Sequence, residues 1–225
     1  MSVLREIGDG LWVHEAPLRF VGFPAGRIMN VVQLGDGSLF VHSPAPLDEP
    51  LRAALDALGA VRFVAAPSRL HGHLSMGDYR DAYPEAELLG GPGLAKRRKD
   101  LDLAAELGDT PDPRWADVLD QAPFRGNFLL PEIEFLHRPS RTLILADLAM
   151  NFGPSGRRAM RIAARAFGMY GRLRPTPFFR ATTRRRQAAR ADRERILEWD
   201  FDRVIPGHGA VWESGGKDAL RREWR

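Results

Sequence analysis

Three short apolar runs in this chain of 225 residues each lead into polar residues that suit a shared site. Val61–Ala66 precedes His71-Gly72-His73, the run 142–146 ends in Asp147, and Arg203–Ile205 precedes His208. The runs are too short for helices and are rich in residues that favour β-strands. Helical patterns lie between the strands, and α/β sheets of this kind place their sites at strand ends. The order of elements therefore predicts a mixed α/β protein with its chemistry at the ends of strands.

The pair His71 and His73 holds two of the chain's six histidines. Imidazole is the commonest protein ligand for divalent transition metals, and a His-x-His pair beyond a strand can turn both rings towards one point. In the alternative interpretation, both rings form hydrogen bonds with loop backbone. The polar residues at the other two strand ends, Asp147 and His208, help to decide between a metal site and backbone hydrogen bonds.

Asp147 and His208 strengthen the metal hypothesis. A carboxylate at the mouth of a buried strand is costly unless a metal ion or an arginine pairs with it, although Asp147 capping the next turn is an alternative. Glycines on both sides of His208 let the backbone turn sharply and leave the ring free. A turn histidine without a role is the alternative for His208.

Composition limits what such a site can contain. The chain has no cysteine, which excludes disulfides, thiolate zinc sites and cysteine nucleophiles. Any metal site must therefore use His, Asp, Glu and water. With 44% hydrophobic and 28% charged residues, the sequence predicts a globular protein, and we expect one domain over residues 1–225. No run approaches about 18 apolar residues and no secretory signal is evident, so we expect a cytoplasmic protein without a membrane span.

Positive charge is concentrated in residues 157–195. Thirteen arginines in that segment face only Asp192 and Glu194, although the net charge of the whole chain is +4. Such a surface could attract an anionic substrate, an acidic partner or nucleic acid, or could be a solvated helical face. Nucleic acid is the least favoured partner, because neither an interleaved aromatic platform nor a nucleic-acid motif accompanies the charge. The oligomeric state is left open.

Hydrophobic periodicity predicts further elements. Apolar residues at helical spacing predict a helix over 48–58, and helix-like patterns also cover 94–107, 156–168 and 184–199. The segment 115–128 shows no clear period and is expected to be partly buried and irregular.

The order of these motifs resembles that of the metallo-β-lactamase superfamily. The resemblance rests on His71-Gly72-His73 after a strand, on Ala146-Asp147 after a strand of the second half, and on Val204-Ile205-Pro206-Gly207-His208-Gly209 near the end. More closely, the chain is similar to a branch of that superfamily with a degenerate metal-binding motif. The residues that carry this closer likeness are Tyr83-Pro84-Glu85-Ala86, Phe135-Leu136-His137-Arg138-Pro139-Ser140-Arg141-Thr142-Leu143-Ile144 and Trp199-Asp200-Phe201-Asp202-Arg203.

The resemblance implies an αββα sandwich with a metal site at one edge of its two sheets. It implies zinc, iron or manganese, with zinc favoured, and a small-molecule substrate. On this basis Asp147 would be a ligand and would orient the attacking water, which makes it the candidate catalytic residue. The further implied ligands are His71, His73, His137 and His208.

Several positions depart from the family pattern. Its His-x-His-x-Asp-His motif would place an aspartate and a third histidine where this chain has Ser75 and Met76. An alternative register begins the motif at Ser68-Arg69 and sets His71, His73 and Leu74 at its later positions, and the sequence does not choose between the registers. Half of a second metal site is missing in the first register, which indicates one ion or none.

The middle ligand of the family is also replaced. Arg141 stands in its place, where it could bind an anionic substrate, and His137 is the nearest imidazole. His42 replaces an aspartate in Val41-His42-Ser43-Pro44 and could be a ligand or contact the substrate.

Two functions follow from these residues. The first is a metal-dependent hydrolase with a reduced, mononuclear site that acts on an ester, lactone or phosphodiester. The alternative is an inactive or metal-free relative that binds an anionic ligand or partner through its arginine-rich segment.

Overall fold

A computed structural model describes residues 3–20, 23–154 and 158–224 of the chain. These residues form two β-sheets flanked by helices. The strands in chain order are β1 (Arg5–Gly8), β2 (Leu11–Ala16), β3 (Arg19–Phe20), β4 (Phe23–Pro24), β5 (Arg27–Gln33), β6 (Leu39–His42), β7 (Val61–Ala66), β8 (Glu87–Gly90), β9 (Ala105–Glu106), β10 (Leu119–Phe124), β11 (Glu132–His137), β12 (Thr142–Ile144) and β13 (Arg203–Ile205). The helices are α1 (Glu49–Leu58), α2 (Met76–Ala82), α3 (Leu94–Arg97), α4 (Arg158–Ala166), α5 (Pro177–Thr182), α6 (Arg186–Glu198) and α7 (Gly216–Glu223). A 3-10 turn spans His73–Ser75.

The first sheet combines antiparallel and parallel pairing. Its strand order is β1-β2-β5-β6-β7-β8-β9, antiparallel as far as β6 and parallel from β6 onwards. Because parallel strands end at the same edge of a sheet, the residues after β6 and β7 lie side by side. His42 and the loop that contains His71 are therefore neighbours.

The second sheet brings the other polar strand ends to one edge. Its order is β10-β11-β12-β13, with β12 and β13 parallel and the other pairs antiparallel. Asp147 follows β12 and His208 follows β13, so both emerge at the same edge. The antiparallel β11 begins at that edge, with Glu132, and ends at the opposite one, with His137.

Three hydrophobic layers hold the sheets and helices together. Leu51 of α1 and Tyr79 of α2 pack on the outer face of the first sheet. Between the sheets lies a layer that includes Phe40 and Phe135. Phe179 of α5, Ile196 of α6 and Leu220 of α7 cover the outer face of the second sheet. The order helix, sheet, sheet, helix confirms the predicted αββα sandwich.

Two of the predicted helices form where the periodicity placed them. Asp48 caps α1 by accepting a hydrogen bond from the backbone N–H of Leu51 at 2.9 Å, and α6 covers most of 184–199. The helix expected over 156–168 is present as α4, although residues 156 and 157 lie outside the described residues. None of the described helices is long and apolar enough to cross a membrane.

The helix predicted over 94–107 is wrong beyond its first turn. Only α3 is helical, because Arg98 leaves the helical conformation and pairs with Asp100 at 2.7 Å. The chain then runs along the first sheet, where the N–H of Leu107 donates to the carbonyl of Gly90 at 2.8 Å. The burial of Leu101 and Leu107 on that sheet offsets the loss of the helical hydrogen bonds.

The irregular structure predicted for 115–128 is also wrong, since it contains β10. Pro123 argued against a strand in the sequence, because proline has no N–H to donate to a neighbouring strand. Among the described strands β10 lies at the edge of its sheet and pairs with β11 alone, so the missing N–H is tolerated. This pairing with a separate strand leaves no periodic signal within β10 itself.

Phe40 provides a test of the layer between the sheets. Its ring is fully buried, with centroids 5.3 Å from Trp115 and 5.6 Å from Phe135. We expect Phe40→Ala to lower the free energy of unfolding by about 3–5 kcal/mol, because it leaves a cavity between rigid sheets. Phe167→Ala is the matched control, since that ring is 56% exposed and its loss should cost no more than about 0.5 kcal/mol. Denaturant titration measures both, and equal losses would contradict the assigned packing.

Candidate metal centre

Three of the predicted ligands meet at the shared edge of the sheets. Oδ1 of Asp147 lies 3.6 Å from Nδ1 of His71 and 3.5 Å from Nε2 of His208, and one ligand atom from each residue lies within 4.8 Å of the others. Both histidines are buried, and the Asp147 side chain is 16% exposed. The group is thus nearly enclosed but reachable from solvent through its carboxylate.

His208 is held in one orientation by backbone. Its Nδ1 donates to the carbonyl of Gly26 at 2.5 Å, which turns Nε2 towards Oδ1 of Asp147 at 3.5 Å. Burial lowers the pKa of His208, but the Asp147 carboxylate and the Gly26 carbonyl outweigh burial and leave that pKa above its usual value. Burial likewise raises the pKa of Asp147, but the imidazoles of His208 and His71 overcome it and hold that pKa well below its usual range.

His71 is positioned by a loop and by a glycine. Its backbone N–H donates to Oγ of Ser68 at 3.0 Å, and Ser68 also pairs with Glu132 across the two sheets. A Cβ added to Gly207 would lie 2.5 Å from Cε1 of His71. Gly207 therefore lets the backbone approach the His71 ring closely, in addition to allowing the turn. The Gly-His-Gly pattern in the sequence indicated only the turn.

Beneath Asp147 lies a buried carboxyl pair that sequence reasoning missed. Oε2 of Glu132 accepts from the backbone N–H of Asp147 at 3.1 Å, and Oε2 of Glu134 accepts from that of Ala146 at 3.0 Å. Burial and the neighbouring carboxylates raise the pKa of Glu132 well above its usual value, and burial raises the pKa of Glu134 to about 7. The pair fixes the turn that carries Asp147 through these two backbone hydrogen bonds. Its only sequence signal is two acids at alternate positions of an apolar strand.

Unsatisfied polar atoms lie beside the three ligands. His42 is buried, and its Nδ1 accepts from Nδ2 of Asn30 at 3.1 Å, so Nε2 carries the proton. Burial and the charge of His71 lower the pKa of His42 to about 3, which keeps the ring neutral. Nε2 of His42, Oγ of Ser43 and Oδ1 of Asn30 have no hydrogen-bond partner among the described protein atoms. His42 is thus a neighbour of the group rather than a member of it.

His73 does not join the other ligands. Its Nδ1 lies 3.4 Å from Nη1 of Arg98, which also donates to the His73 carbonyl. Burial and the cations of Arg97 and Arg98 lower the pKa of His73 to about 4. The His-x-His pair therefore divides, with His71 turned towards Asp147 and His73, at the start of the 3-10 turn, towards Arg98.

His137 and Arg141 lie at the opposite edge of the second sheet. His137 pairs with Thr142 at the far end of β11, and its Nδ1 lies 2.7 Å from Oγ of Ser140. Arg141 is exposed and pairs with Asp200 at 2.7 Å. Strand β11 separates this end from Glu132 by five residues, or roughly 17 Å. That distance removes both side chains from the group around Asp147, and corrects their expected roles as ligand and substrate contact.

His71, Asp147 and His208 could together hold a divalent metal ion. Ligand atoms about 2.1 Å from a tetrahedral ion lie about 3.4 Å apart, close to the two distances of Asp147 Oδ1 from the imidazole nitrogens. Two imidazoles and one carboxylate form a donor set that suits zinc, iron or manganese and leaves coordination positions for water. The unsatisfied atoms of His42 and Ser43 would also find partners in a hydrated ion.

Gly207→Ala tests the close approach of the backbone to His71. The new methyl group would meet both the His71 ring and the Ala146 carbonyl, so we expect a loss of about 1–3 kcal/mol in stability and at least a tenfold loss in metal affinity. Gly77→Ala is the control, because a Cβ there meets nothing within 4 Å. Metal titration and denaturant unfolding check the pair of variants, and unchanged affinity in Gly207→Ala would contradict the geometry.

Two variants of Glu132 test the carboxyl pair. In Glu132→Gln the amide oxygen can still accept from the Asp147 N–H and the amide nitrogen can donate to Glu134. We therefore expect the free energy of unfolding to change by no more than about 1 kcal/mol. Glu132→Met has a similar length but leaves that N–H without an acceptor, which should cost about 1–3 kcal/mol. Denaturant unfolding compares them, and equal stability of the two variants would refute the assigned hydrogen bonds.

The fold is shared with solved structures of distant sequence. A metallo-β-lactamase from Hirschia baltica matches with a TM-score of 0.64 and 11% identity over 97% of this chain and 94% of that one. A metallo-β-lactamase from Pontibacter korlensis matches with a TM-score of 0.63 and 10% identity over 98% and 97% of the two chains. A flavo di-iron protein mutant from Thermotoga maritima matches with a TM-score of 0.65 and 10% identity over 97% of this chain and 60% of that one.

Sequence comparisons add nothing to these structural matches. No protein-family model matches the chain, and a search of curated proteins finds no match either. The likeness therefore rests on the arrangement of the two sheets and their helices over nearly the whole chain, and by that arrangement the chain has the metallo-β-lactamase fold.

Proposed function

We propose that this chain is a metal-dependent hydrolase that binds one divalent ion through His71, Asp147 and His208. Zinc is the first candidate, with iron and manganese as alternatives. The observation that carries the proposal is the convergence of two imidazoles and one carboxylate, each from a different strand end, within 4.8 Å. The proposed reaction is hydrolysis of an ester, lactone or phosphodiester in a small molecule.

The structural matches support this chemistry. Two of them are metallo-β-lactamases by name and another is a flavo di-iron protein by name, so their names associate this fold with metals in other chains. Because one fold hosts many reactions, the substrate must be argued from the residues of this chain.

A divalent ion, when bound, lowers the pKa of a coordinated water and polarises the oxygen of the bond under attack. The protein's own contribution is to hold the ligands before the ion arrives. Gly26 fixes the His208 ring, Ser68 fixes the His71 loop, and Glu132 holds the backbone of Asp147. Such support raises metal affinity, since the ligands lose little freedom on binding.

Asp147 is the proposed catalytic residue. Its pKa is far below neutrality, so the carboxylate is ionised, and its partial exposure lets it contact both the ion and water from outside. The neutral ring of His42 offers a buried N–H beside the ligands, and the hydroxyl of Ser43 offers a second polar group. Both could donate to a small oxygen-containing group, which suits carbonyl or phosphoryl substrates.

Elemental analysis of the purified chain, free of any affinity tag, tests the proposal. We expect about one equivalent of zinc, iron or manganese, and its loss in His208→Ala. His73→Gln is the matched control, because His73 is equally buried but directs its ring at Arg98, so this variant should keep its metal.

Each result bears on a separate part of the proposal. Absence of metal after incubation with excess zinc, iron or manganese would contradict it and favour the metal-free relative that binds anions. Loss of metal in His73→Gln but not in His208→Ala would contradict the assigned ligands. With metal bound, hydrolysis of model esters, lactones and phosphodiesters should fall at least about 100-fold in Asp147→Asn.

A further inference from the structure

An open groove of about 640 Å³ lies next to the candidate metal centre. Its lining has three cationic and four apolar side chains: Arg69, Lys96, Arg97, Leu70, Leu129, Leu130 and Phe178. A volume of this size suits a small organic ligand.

The groove and the metal centre share two chain segments. Leu70 immediately precedes His71, so one side of the groove continues into a proposed metal ligand. Leu130, also in the lining, lies two residues before Glu132, which holds the backbone of Asp147. A molecule in the groove would therefore extend towards the metal ligands.

The cations around the groove lack acidic partners. Arg69, Lys96 and Arg97 form no ion pair with a carboxylate of the described chain, whereas the adjacent Arg98 pairs with Asp100 at 2.7 Å. Glu106 is the nearby acid, and its carboxylate accepts from the Gly93 backbone N–H at 3.3 Å. Three uncompensated positive charges at one groove attract an anion.

Apolar side chains are exposed at the same place. Leu70 is 43% exposed and Phe178 is 54% exposed. Leu74 and Phe128, which lie close in sequence to Leu70 and Leu129, are 66% and 41% exposed. Together these make four of the six large hydrophobic side chains exposed in the described chain, and exposed apolar side chains in the lining of a groove mark a binding surface.

We propose that this groove binds the anionic and apolar part of the substrate, which makes the preferred substrate a small amphiphilic anion. The cations would hold a phosphate or carboxylate group, and Leu70 and Phe178 would pack on an alkyl or aryl chain. The inference rests on the proposed hydrolase function, because it takes the bond to be cleaved as lying towards His71 and Asp147. It assigns the selection of substrate to residues that do not bind the metal.

Calorimetric titration with octyl phosphate, below the concentration at which it forms micelles, tests the groove directly. We expect saturable binding of one molecule per chain, at least about tenfold tighter than that of inorganic phosphate or of the uncharged octyl glucoside. These controls separate the contributions of charge and apolar chain. The titration uses the whole chain with and without added metal, so it needs no hydrolysis.

Single substitutions locate the binding. Arg97→Gln and Phe178→Ser alter exposed side chains of the lining, and each should weaken octyl phosphate binding about 3–10-fold. The matched controls are Arg222→Gln, an exposed arginine without an ion pair in the described chain, and Phe167→Ser, whose ring is 56% exposed. Both controls should leave the affinity unchanged.

Several outcomes would overturn the inference. The first is an affinity for inorganic phosphate or octyl glucoside that equals the affinity for octyl phosphate. The second is an equal loss of octyl phosphate affinity in the lining and control variants. The third is binding to anionic lipid vesicles without binding to monomeric octyl phosphate. Failure of the hydrolase is a separate result, since a chain that takes up no metal can still be titrated. Metal uptake with hydrolysis but no octyl phosphate binding would refute the groove alone.

Discussion

The carboxylate of Asp147, placed between His71 and His208, is the interaction on which the site depends. It joins the ends of β12 and β13 in one sheet to the loop after β7 in the other. Two buried imidazoles beside one carboxylate favour its ionised form, and the carboxylate favours a protonated imidazole, which is why the pKa of Asp147 falls and that of His208 rises. The geometry that stabilises this network also presents three ligand atoms to one point.

Residues next to strand ends could be predicted from the sequence, but the direction of the strands could not. His71, Asp147 and His208 were identifiable because each follows a short β-type run. His137 also stands at the end of such a run, yet the antiparallel pairing of β11 with β12 places it at the opposite edge. The sequence indicates where a strand ends, but it does not indicate which edge of the sheet that end reaches.

Other features depend on contacts between distant parts of the chain. The division of the His-x-His pair follows from Arg98, which lies 25 residues after His73. The support of Asp147 by Glu132 requires the pairing of β11 with β12, and strand β10 forms by pairing with β11. Each of these contacts joins separate elements of the fold, so local propensity could not indicate them.

Backbone hydrogen bonds cross between the two sheets at the edge that carries the site. The N–H of Ile133 in β11 donates to the carbonyl of Pro67 after β7 at 3.0 Å, and the N–H of Ile28 in β5 donates to that of Gly207 at 3.2 Å. The sheets are thus hydrogen-bonded to each other there, as well as packed. Breathing motions that separate the two sheets should therefore pivot about this edge, and amide hydrogens near Asp147 should exchange with solvent more slowly than those near His137.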